Sequence, residues 1–103
     1  MELNSATHSV KIETMAQAIV DPEQLRQFAS MLQRYSQTVR ESTAALSQAQ
    51  ARLNESWRDQ EQRKFSDEFM EQVKLVQKLL DMTDKHVPYL VKKAEIIEQY
   101  LQR

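Results

Sequence analysis

The sequence predicts an all-α protein: an antiparallel two-helix hairpin that dimerises into a four-helix bundle. Three observations lead there. The 103 residues contain no glycine and two prolines, and Ala, Glu, Lys, Leu, Arg and Gln are abundant, a composition of long helices. Two long stretches carry apolar residues at alternating spacings of three and four, the period of a helix packed along its length, with one break between them. Beside the apolar seam of the second stretch runs another apolar stripe, more than one neighbouring helix can cover.

Taken in order, residues 1–20 are the least patterned. "SVKIE" alternates apolar and polar residues, "MAQAIV" suits a short helical turn, and the segment reads as a loosely ordered arm in which His8 carries no signal. The hairpin occupies residues 21–103, with helix one over about 22–53. "DPEQL" opens that helix: Asp21 caps it, Pro22 fits the first helical position, Glu23 meets the positive end of the helix dipole, and Gln24 completes a box-like Asp-x-x-Gln. Its seam is Leu25, Phe28, Leu32, Tyr35, Val39, Ser42, Leu46, Ala49 and Leu53, flanked by Ala29, Met31, Ser36, Thr43 and Ala45. The turn falls at about 54–58, where Asn54 can take the left-handed conformation in place of a glycine. Ser56 then caps helix two, with Asp59 three residues on.

Helix two covers about 59–102, with the seam Phe65, Phe69, Val73, Val76, Leu80, Thr83, Val87, Leu90, Ala94, Ile97 and Leu101. Pro88 interrupts its hydrogen bonding, but the seam keeps its phase across it, so a kink near Pro88 is expected rather than an end. The second stripe is Leu75, Leu79, Met82, His86, Tyr89, Ile96 and Tyr100. Leaving such residues in water forfeits roughly 1.5–3 kcal/mol for each large side chain, a large fraction of a marginal stability. This stripe is therefore the expected dimer or partner surface.

Composition excludes several functions. Fourteen basic against fifteen acidic residues leave no concentrated positive field for nucleic acid or an anionic membrane. No apolar run approaches the roughly 20 residues of a membrane span, and the opening "MELNSATHSV" lacks the basic and apolar regions of a signal peptide. Without cysteine there is neither a disulfide framework nor a thiolate metal site. His86 lacks further ligands at helical spacing, so it reads as an interface histidine, one whose protonation below a pKa of about 6.5 would loosen a dimer. Asp67, Glu68 and Glu71 interleave with Arg63, Lys64 and Lys74 as ordinary solvated helix pairs, and Lys92 and Lys93 read as surface charge. No catalytic, cofactor or metal residues are expected.

The turn supplies a resemblance. Trp57, the one tryptophan, stands in "SWRDQEQRKF", with Phe65 further along, and "VDPEQL" (Val20 to Leu25) opens helix one. Two long helices in a chain of about this length, with a Trp at the turn, resemble the WXG family, the ESAT-like substrates of type VII secretion. In that family the turn reads Trp-x-Gly with an aromatic about six positions beyond the glycine, and the likeness covers about residues 18–103. Trp57, Arg58 and Asp59 occupy the motif, with Asp59 in place of glycine. The family's Tyr-x-x-x-acidic export tail is not expected in usable form: Tyr89 is followed at the fourth position by Lys93, and Tyr100 by Leu101, Gln102 and Arg103.

The resemblance implies a non-enzymatic interaction protein that dimerises with itself or a similar hairpin. It also implies synthesis in the cytoplasm, export without a cleaved signal peptide, a partner that supplies the missing tail, and contact with a secretion ATPase. Trp57 then either plugs the end of the hairpin or presents an aromatic to a partner helix. The alternative is a cytoplasmic adaptor or secretion chaperone whose spare stripe holds a client helix; a third reading is a purely structural coiled-coil scaffold.

Overall fold

The computed structural model describes residues 20–102; the expected N-terminal arm, apart from Val20, lies outside the described residues. Two helices pack against each other as a hairpin: α1, Pro22–Leu53, and α2, Gln60–Leu101. The Asp21 side chain accepts a hydrogen bond from the Glu23 amide (2.9 Å), and Pro22 follows where its missing N–H costs nothing. Helix α2 passes through Pro88 without ending.

The described chain is a rod of 65 × 28 × 16 Å. Its radius of gyration is 21.3 Å, against about 13 Å for a compact chain of this length. Two helices side by side make a single layer, whereas stable domains pair two. The buried apolar residues are few: Ala29, Leu80, Ala94 and Ile97.

In α2 the inward seam follows the predicted one from Phe69 to Ile97, all buried or half-buried. Phe65 and Leu101, at its two ends, are exposed.

Helix α1 departs from expectation. Its inward residues are Leu25, Ala29, Leu32, Ser36, Val39, Thr43, Ser47 and Gln50, whereas Phe28, Tyr35, Ser42, Leu46, Ala49 and Leu53 of the predicted seam are exposed. Ala29, Ser36 and Thr43, expected on the flank, thus face α2, and Phe28, Tyr35, Leu46 and Leu53 face solvent, while Leu25, Leu32 and Val39 keep the expected inward orientation. The cause is geometric. A stripe spaced three and four is wider than one helix–helix contact, and the small side chains of Ala29 (2% exposed) and Ser36 (4%) allow the two backbones to approach closely.

Candidate functional site

Asn54 has φ −64° and ψ −17°, ordinary right-handed values, so the expected left-handed asparagine is not observed. The chain instead tightens at its end: the Glu55 amide donates to the Arg52 carbonyl (3.1 Å), and the amides of Ser56 and Trp57 donate to the Leu53 carbonyl (3.1 and 2.9 Å). These bonds satisfy carbonyls that a glycine-based cap would otherwise serve. Ser56 does not cap α2. Its hydroxyl donates back to the Leu53 carbonyl (3.4 Å), and the N-cap is Asp59, whose carboxylate accepts from the Gln62 amide (2.9 Å). Asp59 sits at φ −91°, ψ −174°, extended backbone open to any residue.

Inside the turn, four neutral polar side chains bond one another. The Gln50 amide donates to Asn54 Oδ1 (3.2 Å) and to the Ser66 hydroxyl (2.7 Å). The Gln62 amide donates to the same two atoms at 2.5 and 2.8 Å. This knot ties the end of α1 to the start of α2. Around it the Trp57 ring, half-buried, packs on Phe65 with centroids 5.8 Å apart, and Phe65 stacks on Phe69 at 6.0 Å. Arg58 is exposed, its guanidinium donating to the Glu55 carbonyl (3.1 Å). The three motif residues do not converge on one point: Trp57 packs, Arg58 braces the turn, and Asp59 caps.

Away from the turn the rod has two unlike sides. A helix advances about 100° per residue, so residues just after and just before the inward seam project to opposite sides of the hairpin. Because α1 and α2 run in opposite directions, the "after" positions of both helices share one side, and the "before" positions share the other. The cross-helix bonds bear this out. Arg26 grips Glu98 with two nitrogens (2.6 and 3.2 Å). Arg40 pairs with Asp84 and lies 4.0 Å from Asp81, while the Ser36 hydroxyl donates to Asp84 (2.6 Å). The charged residues of these pairs immediately follow Leu25, Val39, Leu80, Thr83 and Ile97 of the seam. The hydrogen bond from Ser36, opposed by partial desolvation and reinforced by Arg40, holds the Asp84 carboxyl below the ordinary carboxylate range. Arg26 does the same for Glu98. Ser36, expected on the flank of α1, instead faces α2 and bonds Asp84. The available signal was opposite charge at the position after the seam in both helices.

The opposite side is apolar and open. From α1 it carries Phe28, Met31, Tyr35, Leu46 and Leu53; from α2 it carries Phe65, Leu75, Leu79, Met82, Tyr89, Ile96 and Tyr100, all exposed. His86, on the same side, is exposed too. Near the turn the two helices share a cleft on this side, lined by Leu46, Ala49, Gln50, Leu53, Phe65 and Phe69. The predicted stripe of α2 thus lies in one column on one side and meets the displaced large residues of α1 there.

A two-helix rod with a tryptophan at its turn matches the family model described as "WXG100: Proteins of 100 residues with WXG" over residues 17–100. The chain belongs to the WXG100 family. No curated protein and no solved structure matches it. Within WXG100 the third position of the Trp-x-Gly motif is here Asp59, and the backbone angles at that residue place no demand that only glycine meets. Asp59 supplies a helix cap that glycine provides less well. No helix of the described residues is long and apolar enough to cross a membrane.

Proposed function

We propose that this WXG100 protein is a non-enzymatic interaction module that works as a dimer, with itself or a similar hairpin, and is exported through or assembled with a type VII system. One observation carries the reading: a single layer of two helices leaves an entire apolar side in water. A second hairpin laid on that side supplies the missing layer. A broad side of 65 × 28 Å exceeds the about 800 Å² per partner of a standard interface. In this reading Leu75, Leu79, Met82, His86, Tyr89, Ile96 and Tyr100 form the dimer surface together with Phe28, Tyr35, Leu46 and Leu53. Trp57, at the tip, offers its uncovered edge to a further partner, with Arg58 and Asp59 holding the turn in shape.

Tagged protein purified from its native host, followed by mass measurement of what accompanies it, tests the proposal. A second copy or another two-helix hairpin is the expected companion, with the same species recovered from the culture medium. A lone association with an unrelated, larger intracellular protein would instead support a chaperone holding a client helix.

A further inference from the structure

Accepting the reading above, that a second hairpin covers the apolar side, we infer that Met31 and Met82 form an oxidation site. A hydroperoxide converts their thioethers to sulfoxides in the unpaired chain, and the sulfoxides then keep that chain unpaired. The methionines among the described residues are Met31, Met70 and Met82, and they are almost equally open to water, at 55%, 59% and 58% exposure. Exposure does not separate them. Position does. Met31 immediately precedes Leu32 of the α1 seam and Met82 immediately precedes Thr83 of the α2 seam, so both project to the apolar side. Met70 immediately follows Phe69 and projects to the ion-paired side.

The two apolar-side sulfurs stand at different levels of the rod. Met82 lies near the middle of α2, between Leu79 and His86 in the exposed column. Arg40, which pairs with Asp84 and lies 4.0 Å from Asp81, marks the part of α1 at that level. The α1 positions on the apolar side there are Thr38 and Ser42, both short and polar, so Met82 is the large apolar group at mid-rod. Met31, with Phe28 and Tyr35, belongs to the half nearer the open end. A cover laid along the rod meets both sulfurs and leaves Met70 untouched.

The chemistry needs only the thioether and the peroxide. A lone pair of the methionine sulfur attacks the terminal oxygen of a hydroperoxide, ROOH, and the O–O bond breaks as the S–O bond forms. Sulfur gives up two electrons, the peroxide is reduced, and after proton transfer ROH departs, or water when the oxidant is hydrogen peroxide. An apolar, flexible side chain has become a polar, chiral one. Its new oxygen must shed water when the face is covered, and a buried acceptor left without a donor weakens association about tenfold. The same cover keeps peroxide from both sulfurs. Pairing and oxidation therefore exclude each other at Met31 and Met82, and a methionine sulfoxide reductase can restore the pairing form.

The experiment uses full-length wild type, the double variant Met31→Leu with Met82→Leu, and Met70→Leu as control, with hydrogen peroxide as oxidant. Leucine keeps the volume and removes the sulfur. Oxidation at each methionine is timed by peptide mass at protein concentrations a hundredfold apart. In dilute wild type the three sulfurs are expected to react at similar rates; in concentrated protein Met31 and Met82 should slow about tenfold and Met70 should not. Oxidised wild type and oxidised Met70→Leu, checked for helicity, are expected to self-associate about 10- to 100-fold more weakly in sedimentation. The oxidised double variant is expected to pair as it does untreated. Met31→Gln with Met82→Gln, which sets a polar amide at both positions, should weaken pairing similarly without any oxidant. Undiminished pairing of oxidised wild type, equal slowing of all three methionines, or an equal loss of pairing in the oxidised double variant overturns the inference while leaving a dimer standing. Untreated wild type that stays a folded monomer removes the reading beneath it as well.

Discussion

Leu79 and Leu80 are chain neighbours with opposite fates, and truncating each to alanine tests the two-sided description of the rod. Leu80 is 1% exposed, against α1, whereas Leu79 is 47% exposed, on the apolar side. Leu80→Ala removes a fully buried side chain and leaves a void, which costs about 2–5 kcal/mol in each hairpin. For Leu79→Ala roughly half of the about 1.5–3 kcal/mol of a buried leucine is still to be gained on dimerisation. Counted on both copies, that comes to about 1.5–3 kcal/mol per dimer, or a Kd weakened about 10- to 100-fold. Urea unfolding followed by far-ultraviolet circular dichroism, at protein concentrations a hundredfold apart, separates the two. Leu80→Ala is expected to lower the midpoint strongly at both concentrations; Leu79→Ala is expected to lower it less and mainly at the lower one. Equal losses, independent of concentration, would mean that both side chains share one environment, and the account of the apolar side would fail.

Two further outcomes follow from the turn and the ion-paired side. Asp59→Ala should cost about 1 kcal/mol in thermal or urea unfolding through the lost cap, while Asp59→Gly, which restores the family's residue, should cost only a few tenths; a clear gain for the glycine variant would show that the turn is strained at this position. Asp84 and Glu98 have folded-state pKa values lowered from the ordinary carboxylate range. Their contribution is therefore present above the unfolded-state pKa and is lost as pH falls through the lowered folded-state values. Stability should hold through neutral pH and drop in the acid range below about pH 4, with a smaller acid-dependent drop in Asp84→Asn. An acid profile identical in wild type and Asp84→Asn would remove Asp84 from that account.

Much of the fold is legible in the sequence because the determining physics is local. Asp21 and Pro22 mark the start of α1 by capping chemistry, and the seam of α2 from Phe69 to Ile97 follows from spacing alone. What spacing does not specify is which edge of a wide stripe meets the neighbouring helix. In α1 that edge is set by Ala29, Ser36 and Thr43, small enough for close approach, and so Phe28, Tyr35 and Leu46 turn to the other side. The turn misled for a related reason. Absence of glycine points to a left-handed asparagine, but Asn54 stays right-handed and successive tight bonds from residues 55–57 to the last turn of α1 close the turn. The Arg26–Glu98 and Arg40–Asp84 pairs join residues 72 and 44 positions apart, and such partners emerge only once the register of the hairpin is fixed. The seven residues of the second stripe were legible as a column; their union with the α1 residues into one side depends on the antiparallel packing.

The apolar side of the rod is expected to be closed by another hairpin. Sedimentation equilibrium of the wild-type protein at micromolar concentration measures this most directly. The predicted result is a species of twice the 12.1 kDa chain mass that keeps its helicity. A stably folded single chain across the same range would contradict it.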